Sequence, residues 1–269
     1  MSQRIVCLVA GQRCGTNALR NIVTNTDKFA NLGEIFNTAT LDWPGNFFSY
    51  CCQRNVRIGD ILSGHDAERF CKDYVATLRE AAGEKHVLLD VKFNSWGELR
   101  VPWTFMHQEP YFLRHLKNQE ARMIFIWRKD LVAQVLSDRI ADRIKKWHNI
   151  KVENVMEPFD LDIEENRDLA KQLCLSEAYF FDRLKAYPHK LVYCYETIFN
   201  SAGALEETAK SKLCAFMGEP YRLRNSGYYQ RNQINKEQVV ANFTEVAAAI
   251  ADVTAAYRGP FLAEMEGLP

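Results

Sequence analysis

Gly11-Gln12-Arg13-Cys14-Gly15-Thr16-Asn17 follows an apolar run, 5–10, without a break and leads straight into a helical pattern. Two glycines at a strand–loop–helix joint let several backbone N–H groups and the positive helix end converge on one place, a cradle for an anion. Arg13 adds a fixed charge and Thr16 a hydroxyl donor. The cradle differs from that of P-loop nucleoside triphosphatases, whose G-x-x-x-x-G-K-[ST] carries a lysine before the hydroxyl residue; here Thr16 follows Gly15 directly. Lacking that lysine and an obvious Walker-type aspartate, metal-assisted phosphoryl transfer loses its main supports. The competing reading is a tight strand-to-helix turn that binds nothing.

A second anion-binding pattern stands at Arg122-Met-Ile-Phe-Ile-Trp-Arg128-Lys-Asp-Leu-Val-Ala-Gln-Val-Leu-Ser137. An apolar strand ends in Arg128-Lys129, Asp130 caps the helix that follows, and Ser137 lies about two turns along it. A strand-end cation and a helix hydroxyl can converge on one phosphate, the arginine by bidentate contact. A surface cation beside a helix cap is the alternative. Lys92 emerges from another apolar run, 87–91, with Asp90 two residues before it. Asp90 either orients the lysine or is simply half-buried and paired. His65, His107 and His148 are isolated in the sequence and suit surface positions better than catalysis.

These residues need a frame to hold them. Short apolar runs at 5–10, 87–91, 123–127 and 191–195 read as buried strands, and a second short strand ends near Gly33. Helical patterns cover 16–24, 67–82, 109–118, 131–146, 167–187 and 204–217, with a final helix over 236–257. Strands alternating with helices predict an α/β fold, a P-loop-like parallel sheet flanked by helices on both faces. Ligands of such sheets bind beyond the carboxyl ends of the strands, where the Arg13 loop, Lys92 and Arg128 all fall. No linker or repeat divides the 269 residues, so a single domain over 1–269 is expected. Residues 33–66, rich in aromatics and turn formers, and the polar, acidic 147–165 read as lids or acceptor-binding insertions, or else as surface loops.

Composition narrows the partners. Thirty-four basic residues balance thirty-four acidic ones, so the chain lacks the global field of a nucleic-acid or membrane-surface binder and any polyanion site must be local. No apolar run is long enough to span a bilayer and no signal-peptide pattern opens the chain, which points to the cytoplasm. Eight cysteines without CxxC spacing read as reduced thiols, several of them core filler. No HExxH or HxH cluster supports a metal site.

With these motifs the chain resembles the sulfotransferases that use 3′-phosphoadenosine 5′-phosphosulfate (PAPS). It is most similar to the bacterial branch that includes trehalose and nodulation-factor sulfotransferases. In that family a loop like [KR]-S-G-[ST]-[ST] ends the first strand and holds the 5′-phosphosulfate. Arg13-Cys14-Gly15-Thr16-Asn17 matches it, with Cys14 in place of a serine and Asn17 in place of a hydroxyl residue. A later R-R-[ND]-L-x-A-Q-A-x-S holds the 3′-phosphate, and 128–137 matches nearly position for position. The likeness is strong over 4–36 and 122–141.

The resemblance implies transfer of a sulfuryl group from PAPS to a hydroxyl of a small acceptor, a carbohydrate or glycolipid, with 3′-phosphoadenosine 5′-phosphate (PAP) as product and no metal. Residues Gly11 to Asn17, Arg128 and Ser137 are then donor ligands. Glu34, after a glycine at a strand end, takes the place of the family's general base; otherwise it is an exposed loop glutamate. Lys92 is placed to stabilise the transferring group or to tune that base. Arg231, in a stretch where relatives close a loop over the nucleotide, is a third donor contact or a solvated loop arginine. A homodimer is compatible with all of this. Two rivals remain: a kinase-like phosphotransferase, and a non-catalytic protein that binds PAP.

Overall fold

The run Ile5–Ala10 (β1) is buried along its whole length, as a strand without polar alternation must be. In the computed structural model, which describes residues 3–57, 64–93, 111–145, 157–200, 203–218 and 234–266, β1 is the centre of a five-stranded sheet. Its companions are Phe29–Glu34 (β2), His86–Lys92 (β3), Arg122–Trp127 (β4) and Lys190–Cys194 (β5), in the order β2-β3-β1-β4-β5. All four pairings are parallel. On one edge β1 runs from Ile5↔Val87 to Ala10↔Lys92, and on the other from Val6↔Arg122 to Ala10↔Ile126. The chain therefore fills one side of β1 first and then crosses to the other. That reversal opens a crevice between the carboxyl ends of β1 and β4.

Helices cover both faces, as the sequence predicts. Val6, Leu8 and Ala10 pack with Leu19 and Val23 of Thr16–Thr24 (α1) and with Leu213 of a later helix. Ile5, Cys7 and Val9 pack on the opposite face with Phe47 of Phe47–Gln53 (α2), Tyr74 and Leu78 of Gly64–Ala82 (α3) and Phe112 of Tyr111–Asn118 (α4). Leu131–Ile144 (α5) follows β4, and Ile163–Lys185 (α6) leads to β5. The short Tyr195–Ile198 (α7) and Glu207–Met217 (α8, which carries Leu213) follow. Lys236–Val239 (α9), Phe243–Tyr257 (α10) and Gly259–Glu266 (α11) complete the described chain.

Two departures from the periodic reading have local causes. α6 begins at Ile163, not 167, because Asp162 accepts from the Glu165 N–H and Glu164 and Glu165 fill the first turn. The final helix is two helices. Val240 is fully buried and bridges Phe159, and the Asn242 amide pairs with both the N–H and C=O of Leu161, so 240–242 leaves the helical path. Within 33–66, Phe36, Phe47 and Tyr50 are buried and stack edge-on or tilted against Tyr74, so these aromatics belong to the core.

Candidate functional site

The first loop is shaped by two left-handed residues. Gly15 has φ 75° and precedes α1; a Cβ there would sit 2.8 Å from the Tyr195 ring. Arg13, with φ 63°, takes the same conformation without a glycine's freedom, a strain of the kind that clusters at ligand sites. No side chain caps the start of α1 and its first turn holds no acid, so the positive end of the helix is left open. Arg13 reaches across to α5, where its Nε donates to Ser137 Oγ at 3.1 Å. Gln134, also on α5, donates to the Gln12 carbonyl at 2.7 Å and reaches Cys14 Sγ at 3.3 Å. Cys14 is buried, and burial, with Glu177 adding to it, pushes its thiol up to about 12. It stays protonated and contributes main chain to the loop, not a nucleophile. Asn17 accepts a short bond from Arg20.

Beside the loop lies a buried ionic cluster at the ends of β2 and β3. Lys92, 2% exposed, donates to both oxygens of Asp90 at 2.8 and 2.9 Å and to the Thr16 hydroxyl through a short bond. Asp90 is fully buried and also meets Arg20 Nε at 3.4 Å. Asp90 thus pairs with two cations, and pairing is what makes such charges tolerable in a dry place. Lys92 Nζ stands 3.7 Å from Glu34 Oε1, and Glu34 Oε2 accepts from Asn37 at 2.9 Å. Gly33, just before Glu34, has φ 75°, and a Cβ there would lie 1.8 Å from the Trp43 ring; the glycine is what lets Trp43 close over this strand end. Arg20 packs over the same ring, 5.6 Å from its centroid.

Across the crevice, Arg128 Nη1 donates to the Arg13 carbonyl at 3.2 Å, and its guanidinium lies over the Tyr195 ring at 4.7 Å. The start of α5 is closed, unlike that of α1. Asp130 accepts from the Ala133 N–H at 2.8 Å, while Glu196 accepts from the N–H groups of Lys129 at 2.8 Å and Asp130 at 3.2 Å. Glu196 also pairs with Arg128 Nε at 3.5 Å. Burial opposes its ionisation, yet the bonds from Lys129, the Cys194 thiol and Asp130 hold its carboxyl below the usual range. Lys236, at the start of α9, is close enough to Arg128 that repulsion adds to burial in lowering its pKa, with Asp130 pulling the other way.

The structure brings Gly11 to Asn17, Glu34, Lys92, Arg128 and Ser137 to one end of the sheet. Ser137 meets Arg13, whereas Arg128 meets the backbone of the first loop, so the two arginine centres form one continuous patch. Arg231, His107 and His148 lie outside the described residues. The sequence reading missed Arg20, Glu196 and Lys236. Arg20 was visible as a cation on the apolar face of α1, between Leu19 and Ile22. Lys236 was visible as a lysine at the start of a helix, the end the dipole disfavours for a cation. Glu196 carried no signal beyond its place after a strand. Among the described residues no group of three or more His, Cys, Asp or Glu could hold a metal ion, and no helix is long and apolar enough to cross a membrane.

No family model matches the sequence, and no curated protein matches it. Among solved structures, a sulfotransferase from Alicyclobacillus acidocaldarius is similar at 11% identity over 96% of this chain and 97% of its own, with a TM-score of 0.41.

Proposed function

We propose that this chain is a PAPS-dependent sulfotransferase acting on a hydroxyl of a small carbohydrate or glycolipid. The observation that carries the reading is an open helix start joined to Arg13 and Arg128 at one switch point, with a glutamate 3.7 Å from a buried lysine at the neighbouring strand ends. In this reading the α1 end receives the 5′-phosphosulfate, and Arg128 with Lys236 receives the 3′-phosphate.

The chemistry is in-line displacement at sulfur. The acceptor oxygen forms the new S–O bond as the bond from sulfur to the bridging oxygen of the 5′-phosphate breaks, and PAP leaves. Glu34 takes the acceptor's proton. Negative charge grows on the bridging oxygen, and Arg13, Thr16 and the N–H groups at the start of α1 stabilise it, each well-aimed donor by about 3 kcal/mol. Lys92 touches both halves of this arrangement, bonding Thr16 on the donor side and facing Glu34 on the acceptor side. The eight free cysteines suit a reducing compartment, so we assign the protein to the cytoplasm.

The test is PAP release from PAPS, followed by chromatography across a panel of mono- and disaccharides, with calorimetry of PAP and of ATP plus magnesium alongside. Acceptor-dependent PAP release with PAP binding at least tenfold tighter than ATP is the expected result. Tight PAP binding with no release by any acceptor would make the chain a binding protein. Preference for ATP with magnesium would make it a phosphotransferase.

A further inference from the structure

Behind the Arg128 turn lies an ion pair that the chemistry above does not use. Glu177 on α6 and Arg258 at the end of α10 are both fully buried, and Arg258 Nη2 lies 3.0 Å from Glu177 Oε1 and 2.8 Å from Oε2. A pair this dry is a poor source of stability, because desolvation offsets most of the attraction, and a well-packed apolar pair often does as well. Burial pushes the Glu177 carboxyl up, against the pull of Arg258. What the pair does supply is position. Arg258 Nη1 donates to the Lys129 carbonyl at 3.1 Å, and Nη2 makes a short bond to the Arg128 carbonyl. These carbonyls lie past the last ladder partners of β4, which end at Trp127↔Cys194. The guanidinium also packs over the Trp127 ring at 5.2 Å.

Arg258 is itself held on every side. Its N–H donates to Thr254, its carbonyl accepts from Phe261 and Leu262 at the α10–α11 junction, and Glu177 fixes its head. The Arg128–Lys129–Asp130 turn is thus gripped from behind by its carbonyls and from the front by Glu196 on its N–H groups. We propose that Arg258, anchored by Glu177, is the positioning residue that aims Arg128 and thereby sets discrimination for a 3′-phosphorylated adenosine donor. The inference rests on the assignment of Arg128 to the 3′-phosphate.

The experiment compares calorimetric Kd values for PAP and adenosine 5′-phosphate, whose ratio reads the 3′-phosphate alone. The double variant Glu177→Met/Arg258→Met leaves no stranded charge. It should fold, keep its affinity for adenosine 5′-phosphate within twofold, and lose on the order of tenfold in the ratio, since an ångström of misplacement can forfeit much of such a contact. Arg258→Lys, which keeps Glu177 paired but cannot span both carbonyls, should lose at least threefold. If the double variant fails to fold by circular dichroism, Arg258→Lys decides alone. A ratio equal to wild type, or equal weakening of both ligands, overturns the proposal. If wild type itself does not favour PAP, the fault lies with the assignment of Arg128 and not with the brace.

Discussion

Two helices start at the same crevice and treat their N-termini in opposite ways. α1 begins at a left-handed glycine with no side-chain cap and no acid in its first turn. α5 begins at Asp130, which caps it, while Glu196 takes the N–H groups of Lys129 and Asp130. The first leaves backbone donors for a ligand; the second satisfies its own. In the proposed reading, recognition on the α1 side rests chiefly on main chain and loop geometry, with Arg13 and Thr16 beside it, and on the α5 side on charged side chains, Arg128 and Lys236. Main-chain sites are spoiled by shape changes, side-chain sites by truncation.

The two sides should break differently. Glu34→Gln, on the chemical side, should lower turnover by about 10³-fold while PAP affinity stays within twofold, as measured by initial rates and calorimetry. Normal turnover would remove Glu34 as the base. Gly15→Val, which forces a branched side chain into a φ of 75° and against the Tyr195 ring, should weaken both PAP and adenosine 5′-phosphate by about 100-fold. Arg128→Ala should weaken PAP by about 30-fold, leaving adenosine 5′-phosphate unchanged, the value of a charged hydrogen bond or two. Equal loss of both ligands would erase the division between the sides.

The smallest effect belongs to Lys236. Lys236→Met should weaken PAP by about fivefold at neutral pH. Burial and Arg128 lower its pKa, so its charge is present below that value and lost above it. PAP affinity should fall at the alkaline end of a pH series, and the variant should flatten that limb. An unchanged alkaline limb in the variant would assign it to another group.

What the sequence made legible follows from how local the signals are. β1 with its loop, and β4 with Arg128 and the Asp130 cap, are continuous runs in which apolar residues, turn formers and a cap follow one another within some fifteen positions. The parallel sheet follows from their alternation with helices. The brace at Arg258 was not legible, because its partners Glu177, Arg128 and Lys129 lie 81, 130 and 129 residues away and only the packing of α10 on α6 brings them together. The break at 240–242 was hidden for the same reason, since Asn242 pairs with Leu161, 81 residues earlier. Ser137 illustrates a middle case. Its place on the helix was readable, but its partner, Arg13 and not Arg128, depends on the left-handed turn at Arg13.

A crystal structure of the PAP complex tests the division of labour most directly. The account predicts the 5′-phosphate within hydrogen-bonding distance of the N–H groups of Gly15 and Thr16, and the 3′-phosphate on the side chains of Arg128 and Lys236. A nucleotide bound the other way round, or with neither phosphate at the start of α1, would contradict it.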